Sequence, residues 1–323
     1  MKNIRWGIAG AGGIANKFAK AVKNVHGATL SAVASRSEER GRVFGEKYGI
    51  ENVFTSYEDM AKSGTVDAVY VATAHPFHKG CAEIFLNAKK PVLCEKPLCV
   101  NADEVKELAA CAKKNGVFLM EAMWTKFLPA TKLAIEAVSD GKIGEAMVLS
   151  ADFCYRTEKE DEPNLFDRNM AGGSLLDVGV YGLHFASLFF GENPVEIKSA
   201  AKIEDGVDTV MEVLLKYESG AIAKISSATR LSKPADGIIY GSKGRIDMPC
   251  FYGASELTVA GDKISAPMMG EGFEEEIAEC CKCIREGKTE SDIHPLASSI
   301  KILEQMDEIR KQCKIHYPAD TKE

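Results

Sequence analysis

The segment that most restricts this chain is Gly10-Ala11-Gly12-Gly13-Ile14-Ala15, a G-x-G-x-x-A turn. It closes an apolar run (4–10) and opens a stretch with apolar residues at helical spacing. Such a turn joins a strand to a helix. The first glycine permits the tight turn, the second lets the backbone approach a pyrophosphate, and the small third residue lets helix and strand pack closely. The helix N-terminus then offers unpaired amides and a positive dipole to phosphate groups. Gly10, Gly12, Gly13, Ile14 and Ala15 are therefore the expected cradle of a bound dinucleotide.

The rhythm after the turn agrees with it. Strand-like LSAVAS (30–35), VDAVYVAT (66–73), PVLCEKP (91–97) and VFLMEAM (117–123) alternate with helical stretches near 38–48, 79–87 and 102–114. Strands that are apolar on consecutive residues and separated by helices predict an α/β fold, a doubly wound parallel sheet of Rossmann type over residues 1–123. From about residue 127 the pattern changes. A strand (146–155), a polar loop and an apolar helix (174–190) are followed by strands with few helices between them. Residues 124–323 are expected to form an α+β domain on an open, mostly antiparallel sheet, with the last helix packing back toward the first domain.

Composition narrows the partners. Lys and Arg number 40 against 47 Asp and Glu, a formal charge of −7, which argues against a nucleic-acid partner held by a basic surface. Ten cysteines are too sparse for a disulfide framework in 323 residues, so reduced thiols and a cytoplasmic location are expected. Cys280, Cys281 and Cys283 lack metal-site spacing, and no metal is expected. No run reads as the roughly 20 apolar residues of a membrane span. A small-molecule partner fits best.

The cofactor can be specified further. At the tip of the second strand, where a carboxylate for the ribose hydroxyl usually selects NAD, stand Ser35-Arg36-Ser37, with Arg40 one turn on. A guanidinium pairs with a 2′-phosphate and stacks on adenine, so NADP is favoured, and NAD is also accommodated if Arg36 only stacks. Thr73, His75 and His78 after the third strand, and Glu95-Lys96-Pro97 at the end of the next, belong at the carboxyl edge of the sheet, which faces the cofactor. Read alone, the histidines fit loop or core residues and the Glu-Lys pair fits a surface ion pair.

Together GAGGIA, Ser-Arg-Ser, VATAHPFHKG, LCEKPL and GGSLLDVGVYGLHF resemble the glucose-fructose oxidoreductase/inositol dehydrogenase family, in family order over nearly the whole chain. With MEAMWTKFLPA and Tyr181 four residues after Asp177, the pattern looks most like the dimeric dihydrodiol dehydrogenase branch. The resemblance implies transfer of a hydride between a nicotinamide and a CH–OH or C=O group of a sugar, cyclitol or trans-dihydrodiol. It also implies roles for Lys96, for Asp177 and Tyr181 on a facing helix, and for a homodimer or homotetramer built on the open sheet. Tyrosine is then the proton acceptor, assisted by the lysine, and i,i+4 spacing puts Asp177 and Tyr181 on one helix face. Trp124, at the domain junction, is expected against both cofactor and substrate. Phe153, Phe166 and Arg168, with Lys126 and Tyr155 nearby, are expected around the substrate. An exported member of this family holds its NADP tightly through an N-terminal arm, whereas the first strand here starts at Ile4, so neither a non-dissociable cofactor nor periplasmic export is expected. Two other readings stay open, a non-catalytic NADP(H) sensor and an imine or enone reductase on the same fold.

Overall fold

The computed structural model describes residues 3–321. It opens with β1 (Ile4–Ala9), α1 (Gly13–Ala21), β2 (Ala28–Ala34), α2 (Glu38–Tyr48), β3 (Asn52–Phe54), α3 (Tyr57–Lys62) and β4 (Ala68–Val71). Then follow α4 (His78–Asn87), β5 (Val92–Glu95), α5 (Ala102–Asn115) and β6 (Leu119–Ala122). Among the described residues these strands form one parallel sheet in the order β3-β2-β1-β4-β5-β6. This is the doubly wound order, which places β1 and β4 at the crevice where strand order reverses. Every residue of β4, β5 and β6 is buried. That explains their uninterrupted apolar runs. Trp6 meets Phe18 edge to face at 5.4 Å and Phe18 stacks on Tyr70 at 4.0 Å, which ties β1, α1 and β4 together. Such pairs add about 0.5–1.5 kcal/mol each beyond area burial.

The remaining elements are α6 (Pro129–Ser139), β7 (Ala146–Cys154), α7 (Val180–Phe190), β8 (Glu196–Glu204), β9 (Val207–Lys216) and β10 (Ile222–Ala228). After them come β11 (Gly237–Gly241), β12 (Arg245–Met248), β13 (Glu256–Val259), β14 (Asp262–Ser265), α8 (Phe273–Arg285) and α9 (Leu296–Cys313). The second sheet runs β14-β13-β12-β11-β7-β10-β9-β8 and is antiparallel except for the β7–β10 pair. Helix α7 packs on β7 and β10, on one face of this sheet. The other face carries a row of cross-strand neighbours, Lys216, Ile222, Val148 and Tyr240, of which Ile222, Val148 and Tyr240 are exposed apolar residues.

The chain divides into two units. The first holds residues up to Cys99, Asp103–Trp124 and Met269–Ser299; the second holds Val100–Ala102, Thr125–Met268 and residues from Ile300 onward. Helix α8 clusters with the first unit, and α9 from Ile300 clusters with the second. Thr289 O accepts the Leu119 N–H at 3.0 Å, and the Arg285 guanidinium donates to Gly27 O at 2.8 Å. Phe273, Ile277, Cys280 and Cys281 form the buried stripe of α8. Amphipathic period reveals such a stripe but not which core it covers.

Among the described residues one run, Arg168–Phe190, is long and apolar enough to cross a membrane, with a mean hydropathy of 1.3; 72% of that window is buried inside the protein. It contains the core helix of the second unit. All ten cysteines are free thiols.

Candidate active site

The glycine turn is built to receive phosphate. Gly10 has φ +104°, and a Cβ there would lie 2.7 Å from Ala72 O. Helix α1 begins at Gly13 behind the N-cap residue Gly12, which offers no side-chain cap, and a Cβ on Gly13 would meet nothing within 4 Å. The first amides of the helix are thus left uncovered, as a bound anion requires. Ile14 is half-buried, and Ala15 is buried behind the turn. The Asn16 side-chain amide donates to Gly12 O at 2.9 Å and holds the loop.

At the tip of β2 the two serines shape the backbone. Ser35 Oγ accepts the Ser37 N–H at 3.3 Å, and Ser37 Oγ caps α2 by accepting the Arg40 N–H at 3.4 Å. Arg36 is left exposed, its guanidinium 4.8 Å from the Phe77 ring centre. A cavity of about 250 Å³ opens there, lined by Arg36, Tyr57, Thr73, Pro76, Phe77 and Ile84 among others. Burial raises the Tyr57 pKa, while the Arg36 and Arg40 charges pull it down, so both guanidiniums are felt at this cavity. The Thr73 hydroxyl is buried without a hydrogen-bond partner. An uncapped helix, an orphaned hydroxyl and two cations fit a phosphorylated dinucleotide.

The ends of β4 and β5 meet through His78. Its Nδ1 lies 2.8 Å from Pro97 O and its Nε2 lies 2.9 Å from Thr73 O. Burial lowers its pKa even though both carbonyls favour the charged ring. His78 therefore joins the 73–78 turn to the Lys96-Pro97 turn as a structural strut, with the half-buried His75 ring 5.8 Å away. Glu95 is 7% exposed and accepts hydrogen bonds from the Tyr70 hydroxyl and, at 3.2 Å, from the Lys96 N–H. Burial raises its pKa; the Lys96 charge and the Tyr70 hydroxyl oppose that rise. Glu95 is thus a buried neighbour of the Lys96 ammonium, not half of a solvated ion pair. Two residues on, the Leu98 N–H donates to Glu121 at 2.9 Å. Glu121, at the end of β6, also accepts from Ser299 Oγ at 2.6 Å and lies 3.1 Å from His294 Nε2.

In the second unit the helix of Asp177 and Tyr181 opens with a π turn, Leu175–Gly179, before α7 begins at Val180. Asp177 lies in the π turn and Tyr181 in the first turn of the α-helix. Asp177 accepts the Tyr155 hydroxyl at 2.7 Å, and burial together with the Asp177 charge holds the Tyr155 hydroxyl far above the usual phenol range. Tyr181 is 8% exposed, with ring centres of Phe153 at 5.4 Å and Tyr252 at 5.9 Å. Phe153 stacks flat on Tyr252 at 3.9 Å, and burial pushes the Tyr252 hydroxyl up to about 12.

Other expected residues have different partners. Phe166 is buried beneath the Arg230 guanidinium, 4.3 Å from its ring centre, and Arg168 donates to His316 O at 2.6 Å. Trp124 stacks on Phe273 at 5.3 Å within the first unit, and Lys126 is buried in the second.

Comparison with known proteins decides the family. Residues 4–123 match an oxidoreductase family with an NAD-binding Rossmann fold, and residues 131–247 match the GFO/IDH/MocA C-terminal domain. This chain belongs to that family. Trans-1,2-dihydrobenzene-1,2-diol dehydrogenase of Mus musculus is 36% identical over 98% of this chain and 99% of the mouse protein. The Homo sapiens enzyme of that name is 33% identical over the same shares. A 3-ketoreductase from Actinomadura kijaniata, solved in an open conformation with TDP-benzene and NADP, aligns with a TM-score of 0.84 at 25% identity, covering 97% of this chain and 98% of the other. An aldose-aldose oxidoreductase from Caulobacter crescentus shares the fold, with a TM-score of 0.88 at 24% identity over 97% and 98% of the two chains.

Within this oxidoreductase, sequence reasoning missed Tyr252, Glu121 and Asp208. Tyr252 sits in a short 3-10 turn, Phe251–Gly253, after Cys250 at φ 51°. Only tertiary pairing brings it against Phe153. Glu121 and Asp208 are carboxylates with no exposed surface, inside apolar strands. Such a residue is a signal, since an acidic side chain is almost never fully buried without partners.

Proposed function

We propose that this oxidoreductase interconverts a secondary alcohol and a carbonyl on a ring substrate, a trans-dihydrodiol foremost and a sugar or cyclitol next, with NADP(H) as cofactor. The observation that carries this reading is the aromatic group around Tyr181: its ring lies beside the flat Phe153–Tyr252 pair, and Phe153 also neighbours Tyr155, whose hydroxyl donates to Asp177. Aromatic faces favour a flat or sugar-like ring. The likeness to trans-1,2-dihydrobenzene-1,2-diol dehydrogenases supports the same substrate class. Arg36 and Arg40 support NADP over NAD, because a guanidinium can pair with a 2′-phosphate.

NADP, when bound, supplies a nicotinamide that takes up or returns a hydride. The chain handles the proton. Tyr181 Oη takes the hydroxyl proton in oxidation and returns it in reduction. The Lys96 ammonium stabilises the negative charge that develops on oxygen. Glu95, buried beside Lys96 and fixed by Tyr70, keeps that ammonium at the strand end. Asp177 fixes the orientation of the Tyr155 ring by accepting its hydroxyl. The test is turnover of trans-1,2-dihydrobenzene-1,2-diol, inositols and aldoses with NADP+ and with NAD+, read by absorbance of the reduced nicotinamide. Tight NADP+ binding with no turnover of any ring alcohol in either direction defeats the reading and favours a sensor.

The exposed apolar row on the open sheet supports a homodimer formed through that face. Replacing Val148 and Ile222 by Glu is expected to yield monomers in sedimentation. Free thiols, with Cys81 and Cys283 pushed up to about 12 by burial, suit a reducing cytoplasm.

A further inference from the structure

A helix needs acceptors for its first amides, and the helix that carries Asp177 and Tyr181 does not supply its own. Ser174 stands at the cap position but makes no side-chain cap; its Oγ turns away and donates to Asp208 Oδ2 at 2.7 Å. Asp208, the second residue of β9, has no exposed surface. The same Oδ2 accepts the Leu175 N–H at 2.7 Å. Ser174 Oγ also lies 3.1 Å from Ser227 O and 3.0 Å from Ser227 Oγ, on β10.

The close approach depends on Gly173. It has φ +107°, and a Cβ there would fall 2.4 Å from Asp208 Oδ1, which has no hydrogen-bond partner. Beside it the Tyr317 hydroxyl donates to Gly172 O. The turn 172–175 is thus held from a sheet strand and from the C-terminal segment, as well as locally, where the Gly172 and Gly173 N–H groups donate to Asp167 O and Leu165 O. What it feeds is a π turn, a rare backbone form found mostly as a single turn within an α-helix. A carboxylate at a helix N-terminus is also favoured by the dipole.

We propose that Asp208 is a positioning residue that caps this helix from the neighbouring sheet and fixes the π turn, and through it the placement of Asp177 and Tyr181. The inference rests on the reading of Tyr181 given above, and its test separates the two. Hydrogen exchange of amides 175–181 reports the cap without any chemistry. Asp208→Ala is expected to speed that exchange at least about tenfold, since capping losses act locally on the first turn. It should also lower kcat on trans-1,2-dihydrobenzene-1,2-diol by about 10- to 100-fold, with the NADP+ Kd within about twofold. Asp208→Asn, which keeps an oxygen for the Leu175 N–H, is expected to recover most of both losses. Ser174→Ala keeps the Leu175 contact and is expected to speed exchange about threefold. It provides the readout if Asp208→Ala does not fold.

Unchanged exchange at 175–181 in a folded Asp208→Ala, or in Ser174→Ala where Asp208→Ala does not fold, overturns the proposal. If exchange rises in Asp208→Ala while Tyr181→Phe turns over normally, the cap stands and the Tyr181 assignment falls. If Tyr181→Phe is inactive while exchange in folded Asp208→Ala is unchanged, the cap falls alone.

Discussion

Lys96 and Tyr181 are held in opposite ways. Lys96 follows the last residue of a buried parallel strand, β5, and inherits its place from the ladder to β4 and β6. Tyr181 sits on a helix whose first turn is irregular and whose cap comes from a residue 33 positions away from Leu175. A strand end needs only its neighbours; a π turn needs a tether. The difference teaches where each placement is vulnerable. The backbone place of the lysine should tolerate a change at the buried Glu121, whereas the tyrosine should depend on Asp208.

The largest expected effect treats the two residues alike. Lys96→Ala and Tyr181→Phe should each lower kcat by about 10²–10⁴-fold, the usual worth of a positioned proton donor or its partner, with NADP+ affinity largely kept. Steady-state kinetics and cofactor titration check both. Near-normal turnover in either variant breaks the comparison at its root.

Next in size is a pH effect on stability. Burial raises the Asp208 pKa from 3.8 to about 6, against the hydrogen bonds from Ser174 and Leu175 that favour the carboxylate. The folded chain therefore keeps this proton to higher pH than the unfolded chain does. The contribution to stability is full below about 4 and is lost as pH rises through about 6, at most about 3 kcal/mol for this one group. Tyr317, whose pKa burial and the Asp208 charge both push upward, stays neutral throughout that window. Denaturant unfolding from pH 4 to 7 should show a steeper loss of stability in the natural chain than in Asp208→Asn, in which Glu95, Glu276 and Asp307, also raised by burial, still titrate. A matching slope in the Asn variant would assign it to other buried carboxyls.

A third effect lies wholly in the first unit. Arg36→Ala should weaken NADP+ about 10- to 100-fold and NAD+ much less, because one charge-assisted contact to the 2′-phosphate is removed. Equal weakening would mean that Arg36 only stacks.

The contrast between the units also governs how much could be read from sequence. The nucleotide-binding half was legible because its signals are local: GAGGIA, Ser-Arg-Ser and EKP each carry their own context. Its misses, β3 and α3, are short, and β3 keeps no fully buried residue to give a period. In the second half the strands were legible from alternation, but the site was not. Tyr252 meets Phe153 only because β7 and the turn at 251–253 converge, and Asp208 reaches Leu175 across the sheet. Phe166 and Arg168 look like pocket residues by type and proximity in sequence, yet their partners are Arg230 and His316. The π turn left no trace either, since its five residues read as ordinary apolar helix.

The smallest expected effect tests the strand-held side directly. Glu121 accepts the Leu98 N–H two residues after Lys96, so it is the closest counterpart in the first unit to Asp208. Glu121→Gln keeps one oxygen for Leu98, and its amide nitrogen then faces Ser299 Oγ and His294 Nε2, to both of which it can donate. If the ladder of β5 sets the place of Lys96, kcat should fall no more than about threefold with unchanged NADP+ affinity, the scale of one neutral hydrogen bond rearranged. A fall as deep as that of Lys96→Ala would mean that the lysine too hangs on a buried carboxylate. The two halves of the molecule would then share one device, and the strand end would be only its scaffold.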